Sequence, residues 1–367
     1  MSILLLCVLF TGLLIPQILK ISYSRRLFDE VDERKIHHGA VPRLGGIAFL
    51  PSVISAFALI DGIESLTGKA LIASTIYENT IPIAFCCAAG FGIYLIGVAD
   101  DLVNVRYRAK FAGQAVCAIL LMMSGLTITN FHGVLGLHNI PMFIAAPFTL
   151  LVVVFIMNAI NLIDGIDGLA SGLSGIAMII YGSILYRYGD YIFSMLAFAT
   201  FGVLLPFFMF NVFGNVHKHQ KIFMGDTGTM TIGLILSILC IRILCADWAS
   251  NPNGILDFNE NLVMVVCAPL VIPCFDVVRV YLGRVRNGRN PFLPDKTHIH
   301  HKLLAVGLKQ RTAMMAIVFS SLVFSVILIV LSSYININIL LVLAALAYIF
   351  INIRLSKAIQ RRAASQS

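Results

Sequence analysis

Long apolar runs separated by short polar segments occupy almost the whole chain. A helix needs about 17–25 mostly apolar residues to cross the hydrocarbon core of a bilayer. The pattern therefore predicts an all-α, polytopic membrane protein of about eleven transmembrane helices. The predicted spans lie near residues 2–20, 44–61, 80–98, 110–125, 141–159, 169–186, 190–211, 228–246, 261–282, 312–332 and 336–354, and the one at 110–125 is the shortest.

Composition supports this prediction and excludes an ordinary soluble domain. The chain is 59% hydrophobic and 12% charged, with a mean hydropathy of +0.92, far from the average of soluble proteins. The polar segments are too short to fold alone, so residues 1–367 are predicted to form a single integral-membrane domain. Its loops on one side of the membrane are 20–43, 99–110, 160–168, 212–227 and 279–311.

The distribution of Lys and Arg predicts the orientation of the spans. Those five loops and the C-terminal tail hold 23 of the 26 Lys and Arg residues, and the other side holds only Lys69, Arg187 and Arg242. Cytoplasmic loops of membrane proteins carry such an excess, so we expect the N-terminus outside and the C-terminus in the cytoplasm. The net charge of +8 then reflects this bias and attraction to anionic lipid or substrate, with no nucleic-acid partner needed.

Several acidic residues lie at predicted span ends in Gly-rich settings. An Asp at the bilayer centre costs about 2.5–3.5 kcal/mol, so these side chains are expected to line a wet cavity or the cytoplasmic interface. There they could meet a ligand or a cation. They lie in the segments GVADDL, NLIDGIDGL and MGDTGT and comprise Asp100, Asp101, Asp164, Asp167 and Asp226.

Helix capping is an alternative role for some of these acids. Asp226 could be the N-cap of the span that follows it, and the Asp-Gly pairs at 164–165 and 167–168 could form turns. Asp100 and Asp101 end a predicted helix, where the helix dipole disfavours anions. That position favours a functional role over capping. The three-residue spacing of Asn161, Asp164 and Asp167 would put them near one face of a helix end, beside glycines that allow close approach.

A histidine-rich segment, PDKTHIHHKLL, forms part of the last basic loop. In a helix, His298, His301 and Lys302 would share one face, with His300 on another. A zinc site formed by these histidines is one alternative, but the sequence offers no Cys or Glu-x-x-His partner. An interfacial amphipathic helix is another alternative. We favour a cationic wall facing an anionic substrate, with Arg289 nearby.

Carboxylates, a basic histidine loop and Gly-rich turns are thus predicted on one side of the membrane. Phosphoryl transfer between a soluble nucleotide and a membrane lipid needs such a set. Mg²⁺ prefers one or two carboxylates together with phosphate oxygens and water, and a metal with basic side chains offsets charge on a transferring phosphoryl group.

An ordered set of motifs covers nearly the whole chain: HHGAVPRLGG, GVADD, NAINLIDGIDGLASG, FN before KIFMGDTGTM, and NPFLPDKTHIHHKLL. With these motifs the chain resembles the polyprenyl-phosphate N-acetylhexosamine-1-phosphate transferases. The resemblance implies transfer of a sugar 1-phosphate from a UDP-N-acetylhexosamine to undecaprenyl phosphate, with release of UMP. The HIHH form is more similar to the branch that starts O-antigen of lipopolysaccharide, enterobacterial common antigen or teichoic acid linkage units. Lipid I synthesis with UDP-MurNAc-pentapeptide, and a multi-span transporter, are the alternatives.

The resemblance also implies roles for residues at matching positions. Asp226 matches the family's main Mg²⁺ ligand, with Mn²⁺ as the alternative metal, and Asp100 or Asp101 matches an acidic pair that binds metal or assists the lipid phosphate. The residues that match or adjoin substrate-binding positions are Arg43, Asn158, Asn161, Asp164, Asp167, Asn211, His298, His300 and His301. The peptidoglycan branch has a threonine in place of Arg43.

The resemblance implies a location and an assembly as well: a bacterial plasma (inner) membrane, a cytoplasmic active site and a homodimer. Two questions of chemistry stay open at this point. The lipid phosphate is already an anion at neutral pH, so single displacement at the β-phosphorus is favoured over a phospho-aspartate intermediate. N-acetylglucosamine is the favoured sugar, but GalNAc, FucNAc or QuiNAc would require only about 1–3 kcal/mol of discrimination.

Overall fold

The computed structural model describes residues 2–27, 41–68, 80–245, 262–288 and 297–366. Within these ranges the chain forms thirteen α-helices and no β-strand. The helices are α1 (Ser2–Arg25), α2 (Phe49–Leu66), α3 (Thr80–Val103), α4 (Tyr107–Met123), α5 (Met142–Ile163), α6 (Leu169–Arg187), α7 (Tyr191–Phe208), α8 (Gly225–Cys245), α9 (Leu262–Cys267), α10 (Val271–Arg286), α11 (Ile299–Val306), α12 (Gln310–Leu331) and α13 (Ile337–Gln366).

Ten helical segments of the described residues are long and apolar enough to cross a membrane. One of them, Leu262–Arg286, joins α9 to α10 through a short 3₁₀ turn that contains Pro269. The span predicted at 110–125 corresponds to α4, whose 17 residues are at the lower limit for crossing a bilayer. The all-α, multi-pass membrane fold is therefore confirmed, with ten clear spans and α4 as the eleventh predicted one.

Helix α8 is at the centre of the bundle. In its most apolar stretch 83% of the residues are buried, against 17% in α3 and 22% in α13. Glycines let neighbouring helices approach it closely. A Cβ on Gly233 would lie 2.6 Å from Cα of Met157 in α5, and a Cβ on Gly97 in α3 would overlap Cα of Thr227. Small residues have this role where membrane helices pack tightly.

The outer helices direct apolar side chains away from the protein. Along α1, Leu5, Leu9 and Leu13 are more than half exposed, whereas Cys7 and Ile15 on the opposite face are buried. Leucines four residues apart form one stripe of a helix. Because a bilayer offers no hydrogen-bond partners, a helix satisfies its backbone internally and presents such a stripe to lipid.

Candidate active site

Asp100 and Asp101 lie near the end of α3, and they have different partners. Asp101 accepts hydrogen bonds from the amides of Asp226 (2.7 Å) and Thr227 (2.9 Å) and from the Thr227 hydroxyl (2.5 Å). These amides belong to the first turn of α8, which has no partners for them within the helix. Asp101 is thus a cap supplied by a different helix, a contact that the sequence did not predict, and its catalytic role stays a prediction.

Asp100 is 8% exposed and faces Lys110. Its Oδ1 accepts the amide of Val105 (2.8 Å), which closes the turn between α3 and α4, and its Oδ2 accepts the Lys110 ammonium at 2.8 Å. One Asp of the pair therefore holds the start of α8 and the other holds a lysine. Asp100 is therefore the member of the pair that contacts a charged side chain.

Two glycines and a short backbone pairing fix the beginning of α8. The amides of Gly45 and Gly46 donate to the carbonyls of Phe223 (2.9 Å) and Met224 (2.8 Å). A Cβ on Gly46 would overlap the backbone of Gly228, so only glycine lets this segment cross the helix start. The segment PRLGG is thereby attached to IFMGD, which positions Asp226.

Asp226 lies in the first turn of α8, whereas the predicted span began at 228. It is not the N-cap, because the capping carboxylate is that of Asp101. Its Oδ1 accepts Asn161 Nδ2 at 2.6 Å and also contacts the ammonium of Lys110. Within the described residues its Oδ2 has no hydrogen-bond partner, and the side chain is 24% exposed. Asp226 thus has one bonded oxygen and one open to a ligand.

The turn between α5 and α6 contains the two Asp-Gly pairs. Helix α5 ends at Ile163, so Asp164 and Asp167 lie outside the helix instead of sharing a helical face with Asn161. Asp167 forms an ion pair with Lys221 at 2.5 Å, with both side chains 9% exposed. Neither Asp caps α6, whose N-cap position is Gly168 in a left-handed conformation with φ of 78°.

Asn211 and Asn158 are bonded within the protein. Asn211 is 4% exposed, its Oδ1 accepts the amide of Gly168 (2.6 Å), and its Nδ2 donates to the carbonyl of Ile222 (2.8 Å). Both ends of its amide are used, so Asn211 supports the turn between α5 and α6, and its role in substrate binding stays a prediction. Asn158 donates to Gln114 Oε1 at 2.7 Å.

The histidine segment folds against the same turn. His298 precedes α11, and His300 within it is 1% exposed. A Cβ on Gly165 would overlap the His300 ring, and neither ring nitrogen of His300 has a hydrogen-bond partner in the described residues. Burial, followed by the charges of His301 and His298, lowers the pKa of His300 to about 3. His300 is therefore a neutral ring on the Gly165 turn.

This geometry changes two predictions about the loop. Lys302 donates to Ser356 Oγ (3.0 Å) and Asn352 Oδ1 (3.3 Å) of α13, so it attaches α11 to the last helix and is not part of a wall facing an anion. His300, predicted to point elsewhere, contacts the turn, with the His301 ring centre 4.3 Å from its own. Arg289 lies outside the described residues.

Burial raises the pKa of Asp164 to about 7, with repulsion from Asp167 and Asp226 adding to it and the charge of Arg43 opposing it. Arg43 therefore belongs to the same electrostatic site. In the unfolded chain the pKa of this carboxyl is near its ordinary value of 3.8. A carboxyl whose pKa is higher in the folded than in the unfolded state contributes stability that is fully present below its unfolded-state pKa. That contribution is lost as pH rises through its folded-state pKa.

Asp164→Asn removes this titration. Its melting temperature relative to the original protein is therefore expected to increase from about pH 4 to about pH 7 and to level off above. Differential scanning fluorimetry of both proteins in detergent with a chelator measures the difference. A pH-independent difference would contradict the raised pKa.

Lys110, Lys221 and Asp276 were not among the predicted site residues. Lys110 is the one charge at the start of the apolar window 110–125, and Lys221 directly precedes IFMGD. Both were counted as ordinary basic residues of cytoplasmic loops. Asp276 lies inside the window 261–282, where an acid is costly and indicates a specific partner. The position of Asp276 in an apolar window was therefore a signal in the sequence that could have identified it.

The donor set around Asp226 fits a hard divalent cation. Asp100 and Asp226 both present an oxygen to the Lys110 ammonium, so the two carboxylates converge on one cationic centre. Among the described residues no group of three or more His, Cys, Asp or Glu is arranged to hold a metal. Mg²⁺ needs only one or two carboxylates when phosphate oxygens and water complete its shell, whereas structural zinc needs four protein ligands.

One family model and several known proteins are similar to this chain. Residues 83–244 match the model of glycosyl transferase family 4. The chain is similar to the probable undecaprenyl-phosphate N-acetylglucosaminyl 1-phosphate transferase of Bacillus subtilis (strain 168), with 31% identity over 330 residues, 89% of this chain and 83% of the relative. It is 32% identical to the decaprenyl-phosphate N-acetylglucosaminephosphotransferase of Mycolicibacterium smegmatis over 298 residues, 78% and 70% of the two chains. It is 28% identical to the undecaprenyl-phosphate alpha-N-acetylglucosaminyl 1-phosphate transferase of Escherichia coli (strain K12) over 318 residues, 85% and 78%.

Proposed function

The chain belongs to glycosyl transferase family 4, among the polyprenyl-phosphate N-acetylhexosamine-1-phosphate transferases, and we propose that it transfers N-acetylglucosamine 1-phosphate from UDP-N-acetylglucosamine to undecaprenyl phosphate. UMP is the other product. The reaction would start a lipid-linked glycan of the cell envelope. The sugar and the acceptor follow the names of the relatives in Bacillus subtilis and Escherichia coli.

The observation that carries the proposal is the convergence of Asp100, Asp226 and Lys110 at one end of a bundle of membrane-spanning helices. A carboxylate pair with an ammonium suits phosphate groups and the cation that accompanies them. The position suits an acceptor whose phosphate lies at the membrane surface and whose chain lies in lipid. A transporter would more commonly hold such acids near the bilayer midplane.

We assign the nucleotide sugar to the polar side of the same site. The turn around Asp164 and Asp167 forms one wall, the buried ring of His300 covers Gly165, and Arg43 adds a positive charge. His300 offers two unpartnered ring nitrogens there, and a buried polar group without a partner is costly. A bound sugar or phosphate oxygen would supply the missing hydrogen bond, with His298 and His301 beside it.

In the proposed mechanism the phosphate oxygen of the lipid attacks the β-phosphorus of the donor, and the bond to the UMP oxygen breaks. Lys110 orients the attacking phosphate, Asn161 holds the carboxylate of Asp226, and Asp101 holds the helix start that carries it. Asp226, with Asp100, would bind Mg²⁺ or Mn²⁺. Such an ion supplies charge neutralisation to phosphate oxygens.

Single displacement predicts that no covalent enzyme intermediate forms. Enzyme incubated with UDP-sugar labelled in its β-phosphate, and without lipid, is expected to release no UMP and to carry no label after denaturation. A phospho-aspartate would instead retain one label per enzyme with stoichiometric UMP release. Addition of undecaprenyl phosphate at the end of the incubation serves as the activity control.

The function itself is tested by UMP release from a panel of UDP-sugars with undecaprenyl phosphate. We expect UDP-N-acetylglucosamine to be the preferred donor, with UDP-GalNAc, UDP-FucNAc and UDP-QuiNAc as competitors that differ by about 1–3 kcal/mol. Decaprenyl phosphate in a parallel series tests the acceptor. Preference for UDP-MurNAc-pentapeptide would reassign the protein to lipid I synthesis, and uptake into proteoliposomes without UMP would reassign it to transport.

We further propose that the domain spans the plasma membrane with this site on the cytoplasmic side. The excess of Lys and Arg in the loops at the same end of the bundle supports the orientation. The homodimer implied by the resemblance stays a prediction. Labelling of single cysteines introduced at Lys20 and Arg187, which lie in oppositely assigned segments, tests the orientation with a membrane-impermeant reagent.

A further inference from the structure

Asp276 is a buried acid that the proposed chemistry does not use. It lies in α10, within the membrane-spanning segment Leu262–Arg286, and is 0% exposed. An ionised carboxylate in such a place is costly unless several groups bond to it. Its partners therefore indicate why the chain contains it.

Four donors converge on this carboxylate. Oδ2 accepts Nδ1 of His298 at 2.8 Å, and Oδ1 accepts the amide of Ile299 (3.1 Å), Nη2 of Arg279 (2.7 Å) and the hydroxyl of Tyr348 (2.9 Å). A carboxylate beside Nδ1 keeps the proton on that nitrogen and fixes the orientation of the ring. Two of the four donors thus belong to the beginning of α11.

The same arrangement reaches the residue that precedes α11. Nη2 of Arg279 also donates to the carbonyl of Thr297 at 2.6 Å. Helix α11 has only eight residues and no side-chain cap hydrogen bond at its N-cap. So short a helix is marginal by itself. Asp276 and Arg279 therefore replace the missing cap and hold residues 297–299 from inside the membrane-spanning segment.

The position of His300 depends on that support, because His300 is the next residue after Ile299. Its ring lies on Gly165, so closely that a Cβ there would overlap it. Displacement of a binding group by about 1 Å can cost on the order of 100-fold in rate. A change at the start of α11 would thus displace His300 on the Gly165 turn, which is the wall assigned to the nucleotide sugar.

We infer that Asp276 is a positioning residue of the donor site: it fixes His298 and the first turn of α11, and through them the contact of His300 with the Gly165 turn. The inference rests on the proposed function for its kinetic consequences. The hydrogen bonds that carry it are independent of the identity of the substrate.

The variant Asp276→Asn keeps the size of the side chain but removes the charge and offers an N–H where Nδ1–H of His298 needs an acceptor. The KM for UDP-N-acetylglucosamine is expected to rise and kcat/KM to fall about 10- to 100-fold, while the KM for undecaprenyl phosphate changes little. The matched control is Asp190→Asn. Asp190 is also a carboxylate paired with an arginine, Arg242 at 2.6 Å. It follows the end of α6 that is opposite to the Gly165 turn, and the length of α6 separates the two by about 28 Å.

A merely structural role would make the two variants alike, with less folded protein and unchanged KM values for both substrates. That result would overturn the inference. A double-mutant cycle sharpens the test, because a residue that acts through His298 should add little to the loss in His298→Ala. Additive losses in Asp276→Asn/His298→Ala would contradict positioning through His298.

Amide hydrogen exchange of the full-length protein in detergent provides a readout without activity. Exchange of residues 298–306 is expected to accelerate in Asp276→Asn and to stay unchanged in Asp190→Asn. Unchanged exchange in both variants would overturn the inference. If the original protein releases no UMP from any donor, the proposed function fails, whereas the exchange experiment still decides whether Asp276 holds α11.

Discussion

Replacement of Asp226 by Asn is expected to reduce turnover by at least about 10²–10³-fold while the protein still inserts and folds. Asn can keep the contact with Nδ2 of Asn161, which is 2.6 Å from Oδ1, and it preserves the size of the side chain. It cannot supply the negative charge that a divalent cation and the Lys110 ammonium require. The open Oδ2 is the atom whose loss matters most. UMP release across a series of Mg²⁺ concentrations measures the effect.

The control is again Asp190→Asn, which removes a carboxylate from an ion pair at the other end of the bundle. Both variants should elute from a gel-filtration column as the original protein does. Turnover of Asp226→Asn close to that of Asp190→Asn would remove Asp226 from the metal-binding role, and recovery at high Mg²⁺ would indicate an auxiliary ligand instead.

The transmembrane helices were predictable because each is a local feature. Apolar runs of sufficient length specify a spanning helix without reference to the rest of the chain, and the structure has helices at all eleven predicted spans. The boundaries were less predictable. Helix α8 begins at Gly225 instead of 228, because its first turn is completed by Asp101 from a helix more than a hundred residues earlier in the chain.

The cost expected for Asp101 from the dipole of its own helix is offset for the same reason. A carboxylate at the C-terminal end of its own helix is unfavourable, but Asp101 lies at the N-terminal end of α8, where a carboxylate is favourable. Local rules describe a residue within its own helix. The partner that reverses the sign of the interaction is visible only when the helices are packed.

The sequence indicated which acidic residues belong to the site, but it did not indicate which side chains contact them. Gly-rich acidic segments indicated Asp164, Asp167 and Asp226, and the expectation of close approach at the glycines is confirmed by the His300 ring on Gly165. Lys110 was missed because a lysine at the edge of a span is the ordinary signal of a cytoplasmic boundary. Its contact with Asp226 joins residues 116 positions apart.

Lys110→Gln is expected to lower kcat/KM for undecaprenyl phosphate by about 10²–10³-fold. The ammonium lies between Asp100, at 2.8 Å, and Asp226, so its loss leaves two carboxylates facing each other. That site would repel both the anionic lipid phosphate and the pyrophosphate of the donor. Glutamine retains a hydrogen-bond donor on a side chain of similar length, so the charge is the main change. Initial rates at varied lipid and fixed saturating donor measure the effect.

Arg108→Gln is the matched control, because it removes an exposed positive charge from the first turn of the same helix. It should leave kcat/KM for the lipid close to that of the original protein. A comparable loss in both variants would mean that the general positive charge of α4 attracts the lipid. Lys110→Arg separates charge from geometry: it keeps the charge, but its planar guanidinium cannot replace the compact ammonium between two carboxylates. Partial activity in Lys110→Arg and none in Lys110→Gln would assign the effect to charge at this point, whereas equal activity in Lys110→Gln and the original protein would exclude Lys110 from orienting the acceptor.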